Sequence, residues 1–149
     1  MDFGTGAFSF LARIKTAADG IIIDKYAATG GGGQMAFQVA SNKLRGITYN
    51  SGTGIDLSGV LTTPGNNKWH PVAFVVDDGG TSARLYLDGL QDGSKTGATA
   101  KSVTSDGVLK IGKDTSTGRF TGIIDEVLIF AKAQPSQQIA ADDYETPLA

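Results

Sequence analysis

The chain has 149 residues, enough for one domain with a real core, and no cysteine, which excludes disulfides, thiolate metal sites and a cysteine nucleophile. Its formal net charge of −2 offers nothing to a polyanion, so no nucleic acid partner is expected. No apolar run approaches a membrane span and Met1-Asp2-Phe3-Gly4 lacks the basic and apolar regions of a signal peptide, so no membrane insertion is expected.

In chain order, Ala7 to Lys15 sets Phe8, Phe10, Ala12 and Ile14 on one side and Ser9, Leu11, Arg13 and Lys15 on the other, the alternation of a strand. Gly20 to Lys25 is a β-branched run and reads as a second strand, followed by a glycine loop over Ala27 to Gly33. Gln34 to Ala40 carries Met35, Phe37 and Val39 on one face. Ser41-Asn42 then turns tightly into a strand over Lys43 to Tyr49. Asn50 to Gly59, rich in Ser, Gly and Thr, reads as a polar loop. The most informative stretch is Trp69 to Asp77, then Ala83 to Gly89, joined by the turn formers Asp78-Gly79-Gly80-Thr81-Ser82. Asp88-Gly89 starts a turn into Leu90-Gln91-Asp92-Gly93, and a loop runs on to Gly107. Val108 to Gly112 is a short strand and Phe120 to Phe130 the last long one. Pro135 to Ala140 is a single helical segment with proline near its first turn. Many short strands with glycine-rich turns predict an all-β, two-sheet antiparallel β-sandwich. The predicted inward residues are Phe8, Phe10, Ile22, Phe37, Trp69, Ala73, Val75, Leu85, Leu87, Ile111, Val127 and Ile129.

Four blocks carry a family resemblance. Asp2-Phe3-Gly4-Thr5-Gly6-Ala7-Phe8-Ser9-Phe10 resembles the opening block of laminin G-like domains, D-x-G-T-G-D-F-S-I. The Trp69-His70-Pro71-Val72-Ala73 and Leu85-Tyr86-Leu87-Asp88-Gly89 pair resembles their central hairpin. Val108 to Gly112 resembles their L-x-I-G. Phe120 to Phe130, followed by Ala131 to Ile139, resembles their F-x-G-x-I-D-E-V-x-I-Y and the closing N-R-A-L-S-x-E-E-I. The blocks span nearly the whole chain in order. They imply one laminin G-like jelly-roll domain over residues 1–149, in the concanavalin A-like lectin and glucanase superfamily. Such domains carry strand sequence before the opening block. The resemblance therefore implies an open sheet edge here, covered by a homo-oligomer partner or by an upstream domain, with a monomer whose edge is shielded by charged side chains and its own C-terminal tail as the alternative. The last strand strengthens that expectation. Ile124, Leu128 and Phe130 alternate with Ile123, Val127 and Ile129, so it is apolar on both faces.

Catalysis in this superfamily uses paired carboxylates in an E-x-D-x-x-E strand, and a retaining pair sits roughly 5 Å apart. No such strand is present. Asp125 and Glu126 are adjacent, so regular alternation points them to opposite faces. His70 stands inside a structural motif with no visible partner, and no G-x-S-x-G elbow accompanies it. No catalytic residue is therefore expected. The resemblance implies one structural calcium ion, with Asp125 as its candidate ligand. Asp24, Asp77, Asp78 and Asp106 are further acids of suitable type. Sugar recognition needs aromatic faces flanked by planar polar groups. Tyr26, Tyr49 and Tyr144 are the aromatic candidates. If the loops after the second and fourth strands share a rim, Asp24, Lys25, Tyr26, Arg45, Tyr49 and Asn50 line a shallow site. The expected function is a non-catalytic binding or adhesion module of lectin type. Its expected partner is a glycan or cell-surface polysaccharide, met outside the cell as part of a longer protein. A structural or oligomerisation domain of an extracellular or phage-type assembly is the alternative, and a glucanase-branch enzyme is disfavoured.

Overall fold

Period-two apolar patterning closes into two five-stranded antiparallel sheets in the computed structural model, which describes residues 2–26, 34–50, 53–62, 64–98, 102–113 and 118–142. The strands are β1 (Phe8–Thr16), β2 (Gly20–Lys25), β3 (Gln34–Ala40), β4 (Lys43–Asn50), β5 (Thr53–Ser58), β6 (Trp69–Val76), β7 (Ala83–Leu87), β8 (Leu90–Lys95), β9 (Leu109–Ile111) and β10 (Gly122–Phe130). A helix, α1 (Ser136–Asp142), follows. One sheet runs β10-β1-β6-β7-β8 and the other β5-β4-β3-β2-β9, so the fold is the β-sandwich that the patterning predicts and the jelly roll that the resemblance implies.

Local chemistry sets the turns. Ser41 and Asn42 both take left-handed backbone, with φ of 52° and 57°, the twist that a two-residue hairpin needs. The Asp19 carboxylate accepts both of their amide N–H groups, at 2.6 and 2.8 Å, and clasps the β3–β4 turn.

Between the sheets lie Phe8, Phe10, Ile14, Ile22, Phe37, Leu44, Ile55, Phe74, Leu85 and Leu87, all buried. The Phe74 ring centroid is 6.0 Å from that of Phe8 on its own sheet and 6.0 Å from that of Phe37 on the other. Gly46 of β4 faces the same ring, and a Cβ there would lie 2.3 Å from its carbons. The glycine is a socket for the aromatic side chain.

The predicted core is corrected on β6. Val72, Phe74 and Val76 face the sandwich, whereas Ala73 and Val75 lie in a second buried cluster with Leu11, Tyr86 and Ile139 under α1. The run is apolar on both faces because both are covered, so alternation left the phase open, and a one-residue slip flips the whole strand. Trp69 belongs to that outer phase. It is 39% exposed, with the Arg13 guanidinium 5.4 Å over its ring. Ile111 is also no core residue, at 52% exposed. Val127 and Ile129 pack against the core from half-buried positions.

Two strands lie where loops were expected. β5 falls within Asn50 to Gly59 and pairs along β4 with Ile55 and Leu57 inward. β8 extends Leu90–Gly93 to Lys95 against β7. Both are poor in β-branched residues, so pairing with a neighbouring strand outweighs their weak propensity. The last strand begins at Gly122 rather than Phe120. Its alternation breaks at a bulge, where the β1 register jumps between Leu11 and Arg13 and Glu126 takes φ of 49°. Ile124, Val127 and Ile129 therefore share the core side, with Phe130 packed in the cluster under α1. The bulge also overturns the opposite-face reading of Asp125 and Glu126. Asp125 opposes Arg13 in register, and the Glu126 carboxylate lies 3.7 Å from the same guanidinium.

Buried Lys25 closes one end of the sandwich. Its ammonium donates to Asp2 Oδ1 at 2.6 Å and to the Ser105 carbonyl. That bond, and then the Ser105 amide, hold the Asp2 carboxyl below its ordinary value of 3.8.

Replacing Phe74 by Ala should cost about 3–5 kcal/mol in denaturant unfolding, and Trp69→Ala distinctly less, because the indole is not enclosed. Gly46→Ala should cost about 1–3 kcal/mol by overpacking against the ring. Because Asp2 has a lowered folded pKa, its stabilisation is complete above the ordinary carboxylate range and is lost as pH falls through the lowered value. Denaturation midpoints followed from about pH 6 to about pH 3 should therefore decline less steeply in Asp2→Asn than in the parent.

Candidate functional site

The outer face of the β5-β4-β3-β2-β9 sheet is assembled by register. Asp24 opposes Ala36, Ala36 opposes Ile47, and Ile47 opposes Asp56, giving one transverse row. Gln34, Tyr49 and Gly54 form the row on one side, and Gln38, Arg45 and Ser58 the row on the other. Partners in register share a face. Gly46 faces inward, so Arg45, Ile47 and Tyr49 must face outward.

An ion pair on this face links the edge strand β5 to its neighbour β4. Arg45 Nε donates to Asp56 Oδ1 at 2.8 Å and Nη2 to Oδ2 at 2.5 Å, a bidentate fork. The hydrogen bonds hold Asp56 below the usual carboxylate range and raise Arg45, against partial burial that opposes both shifts. A hollow of about 630 Å³ opens on one side of the pair, lined by Gln34, Arg45, Ile47, Tyr49, Asp56 and Lys95 among others. A second, of about 610 Å³, opens on the other side, lined by Ala40, Ser41, Lys43, Arg45, Asp56 and Ser58. Tyr49 is 43% exposed. Its register neighbour is Gly54, where a Cβ would meet the Thr48 carbonyl oxygen at 1.9 Å, so no side chain stands beside the tyrosine there. Lys95, at the end of β8, crosses from the other sheet and reaches the Asp56 carbonyl at 3.4 Å.

The structure divides the six residues proposed from sequence. Arg45 and Tyr49 line one hollow. Asp24 shares the face but is buried. Lys25 is committed to Asp2 and Ser105. Asn50 donates from Nδ2 to the Ser102 carbonyl at 2.9 Å. Tyr26, 39% exposed, follows β2 and does not line the hollow. Tyr144 and the glycine loop over 27–33 lie outside the described residues. Asp56, Lys95, Gln34 and Lys43 were missed. The signal for Asp56 was the alternation Gly54-Ile55-Asp56-Leu57-Ser58, masked by its small residues.

His70 is buried, with Nδ1 2.9 Å from each Asp88 oxygen and Nε2 2.9 Å from Asn66 Oδ1. Asn66 occupies the place a nucleophilic hydroxyl would need, so this is a clasp between the β7–β8 turn and the segment before β6. Around Asp125 the donor set does not fit the calcium ion implied by the resemblance. Its Oδ1 accepts the Glu126 amide at 2.9 Å, and its cross-strand partner is the cation Arg13. Among the described residues no group of three or more His, Asp or Glu is placed to hold a metal ion.

A family model described as concanavalin A-like lectin/glucanases superfamily, of laminin G type, matches residues 1–140. No curated protein matches the chain. Among solved structures, the chain is similar to the CBM40 of the Ruminococcus gnavus IT-sialidase bound to α2,3 sialyllactose. Identity is 11% and the TM-score 0.72, over 95% of this chain and 84% of that one. It is also similar to domain 4 of AbnA, a GH43 extracellular arabinanase from Geobacillus stearothermophilus, in complex with arabinotriose. There the identity is 18% and the TM-score 0.64, over 94% and 68% of the two chains. Mouse laminin α1 chain domains LG4-5 match at 18% identity and a TM-score of 0.67, over 89% of this chain and 38% of that one. At these identities the likeness is one of fold.

The fork predicts a titration. The Asp56 carboxyl carbon, followed by NMR, should titrate below the ordinary carboxylate range, and Arg45→Gln should move it upward.

Proposed function

The chain belongs to the concanavalin A-like lectin/glucanases superfamily, and on that premise we propose that it is a non-catalytic carbohydrate-binding module. Its site is the outer face of the β5-β4-β3-β2-β9 sheet. The observation that carries this reading is the half-exposed Tyr49 ring in a hollow shared with the Arg45–Asp56 fork. A pyranose offers an apolar C–H face and a rim of hydroxyls. An aromatic ring meets the first, and planar polar groups with fixed orientation meet the second. The fork fixes Arg45 and Asp56 before any ligand arrives, which lowers the ordering cost of binding. The sialidase CBM40 bound to α2,3 sialyllactose and the arabinanase domain in complex with arabinotriose support the ligand class. A polysaccharide ligand puts the working site outside the cell, as for the extracellular arabinanase. This reading assigns the polar contacts to Arg45 and Asp56 and invokes no calcium.

A second reading, a structural or oligomerisation domain, rests on β10. It is an edge strand, and Ile123 and Leu128 on it are 52% and 43% exposed. Sedimentation at micromolar and at tenfold higher concentration tests it. A single monomeric species at both removes this reading.

For the carbohydrate reading, a glycan array followed by calorimetry is the test. One exposed stacking contact is worth about 0.5–1.5 kcal/mol, so Tyr49→Ala should weaken binding by up to about tenfold. Arg45→Ala should weaken it comparably, and EDTA should leave it unchanged. Binding that survives Tyr49→Ala and Arg45→Ala together would place the site elsewhere.

A further inference from the structure

We propose that the ligand of this face is an acidic oligosaccharide, lying along β4 across both hollows with its anionic groups at Lys95 and Lys43. This rests on the carbohydrate reading and specifies its ligand. The two hollows share Arg45 and Asp56, so the fork is a saddle between two parts of one groove. Lys43 to Tyr49 is seven residues of extended strand, six steps or about 20 Å, room for several sugar rings in a row.

The charges in this groove do not cancel. Both Asp56 oxygens are engaged by Arg45, so the pair presents no net charge to a ligand. Lys95 lines the first hollow and Lys43 the second, and among the described residues neither forms an ion pair. Asp19 keeps its charge but is held on the β3–β4 turn, accepting the Ser41 and Asn42 amides, and lines neither hollow. Asp24 shares the face two strands from Arg45, with Lys110 as its register partner. Three cations, Lys43, Arg45 and Lys95, and one acid, Asp56, line the two hollows, a local departure for a chain of net charge −2. A neutral sugar leaves both ammonium groups without an anion. A carboxylate or sulfate beside the ring stacked on Tyr49 meets Lys95, and one further along the chain meets Lys43.

The test uses the whole chain on an array holding oligogalacturonate, sialyllactose, a heparin-derived hexasaccharide and neutral cellohexaose and arabinotriose. The expected result is retention of acidic members over neutral ones, and the carboxylated and sulfated members separate the two kinds of anion. For the best acidic binder, raising NaCl from about 0.02 to about 0.5 M should weaken binding strongly. The double variant Lys43→Gln, Lys95→Gln should lose about tenfold in affinity and most of the salt dependence, with an unchanged melting temperature. Methyl-esterifying a carboxylated binder should reproduce the loss with the parent protein. Neutral-only binding that falls with Tyr49→Ala would overturn the acidic assignment and leave the carbohydrate reading standing. Acidic binding indifferent to the double variant would also overturn it. Binding to no glycan would remove the carbohydrate reading and this inference together.

Discussion

Phe74 lies against the backbone of β4 where Gly46 offers no side chain, and this contact sets how the two sheets meet. On one side the ring joins Phe8 and Phe10, and on the other it meets Phe37. Protein interiors are close-packed, so a ring that fills the space over a glycine leaves its strand little room to shift or roll. The front of β4 is therefore fixed by packing. Its back is fixed by consequence, because the residues on either side of an inward glycine must point outward. The position of Arg45, and through it of Asp56, follows from an aromatic contact on the opposite side of the sheet.

Charged residues inside or beside the frame mostly serve its ends. Lys25 draws Asp2 and Ser105 together at one end of the sandwich. His70 ties Asp88 to Asn66. Asp92 accepts the amides of Val60 and Leu61 at 2.9 and 2.8 Å and anchors the segment leaving β5. Lys25 and His70 are held by specific partners, as buried polar atoms in a low-dielectric setting require, and Asp92 accepts both amides on Oδ1 while its buried Oδ2 has no hydrogen-bond partner among the described residues. The Arg45–Asp56 fork differs in lying on an open face, and that openness is what makes it available to a ligand.

The sandwich was legible from sequence because β1, β2, β3 and β7 alternate or run apolar between clear turn formers, and because the four motif blocks lie in order. What failed has physical causes. β6 is apolar on both faces, so its phase depends on α1 covering one of them, and Trp69, Ala73 and Val75 were put on the wrong side. β5 and β8 hold Gly, Asp and Ser, whose propensities argue against strands until a neighbour supplies the hydrogen bonds. Of the proposed site, Arg45 and Tyr49 come together because both ride on β4. Lys25 looked available because a lysine is usually exposed, and only the fold shows it buried against Asp2. Lys95 joins the groove from the other sheet, and no local pattern signals such a crossing.

The kink at Glu126 has a bearing on how this surface treats strangers. β10 is an edge, and an unbroken edge accepts any extended chain. Here one left-handed residue divides it into two short ladders whose phases do not match. A flat intruding strand can zip along one half and then loses registry, so stacking of successive copies into cross-β order stalls at its first step. A partner with a complementary kink meets no such stop. The edge thus discriminates by shape, turning an aggregation-prone border into one that only a matched strand can extend.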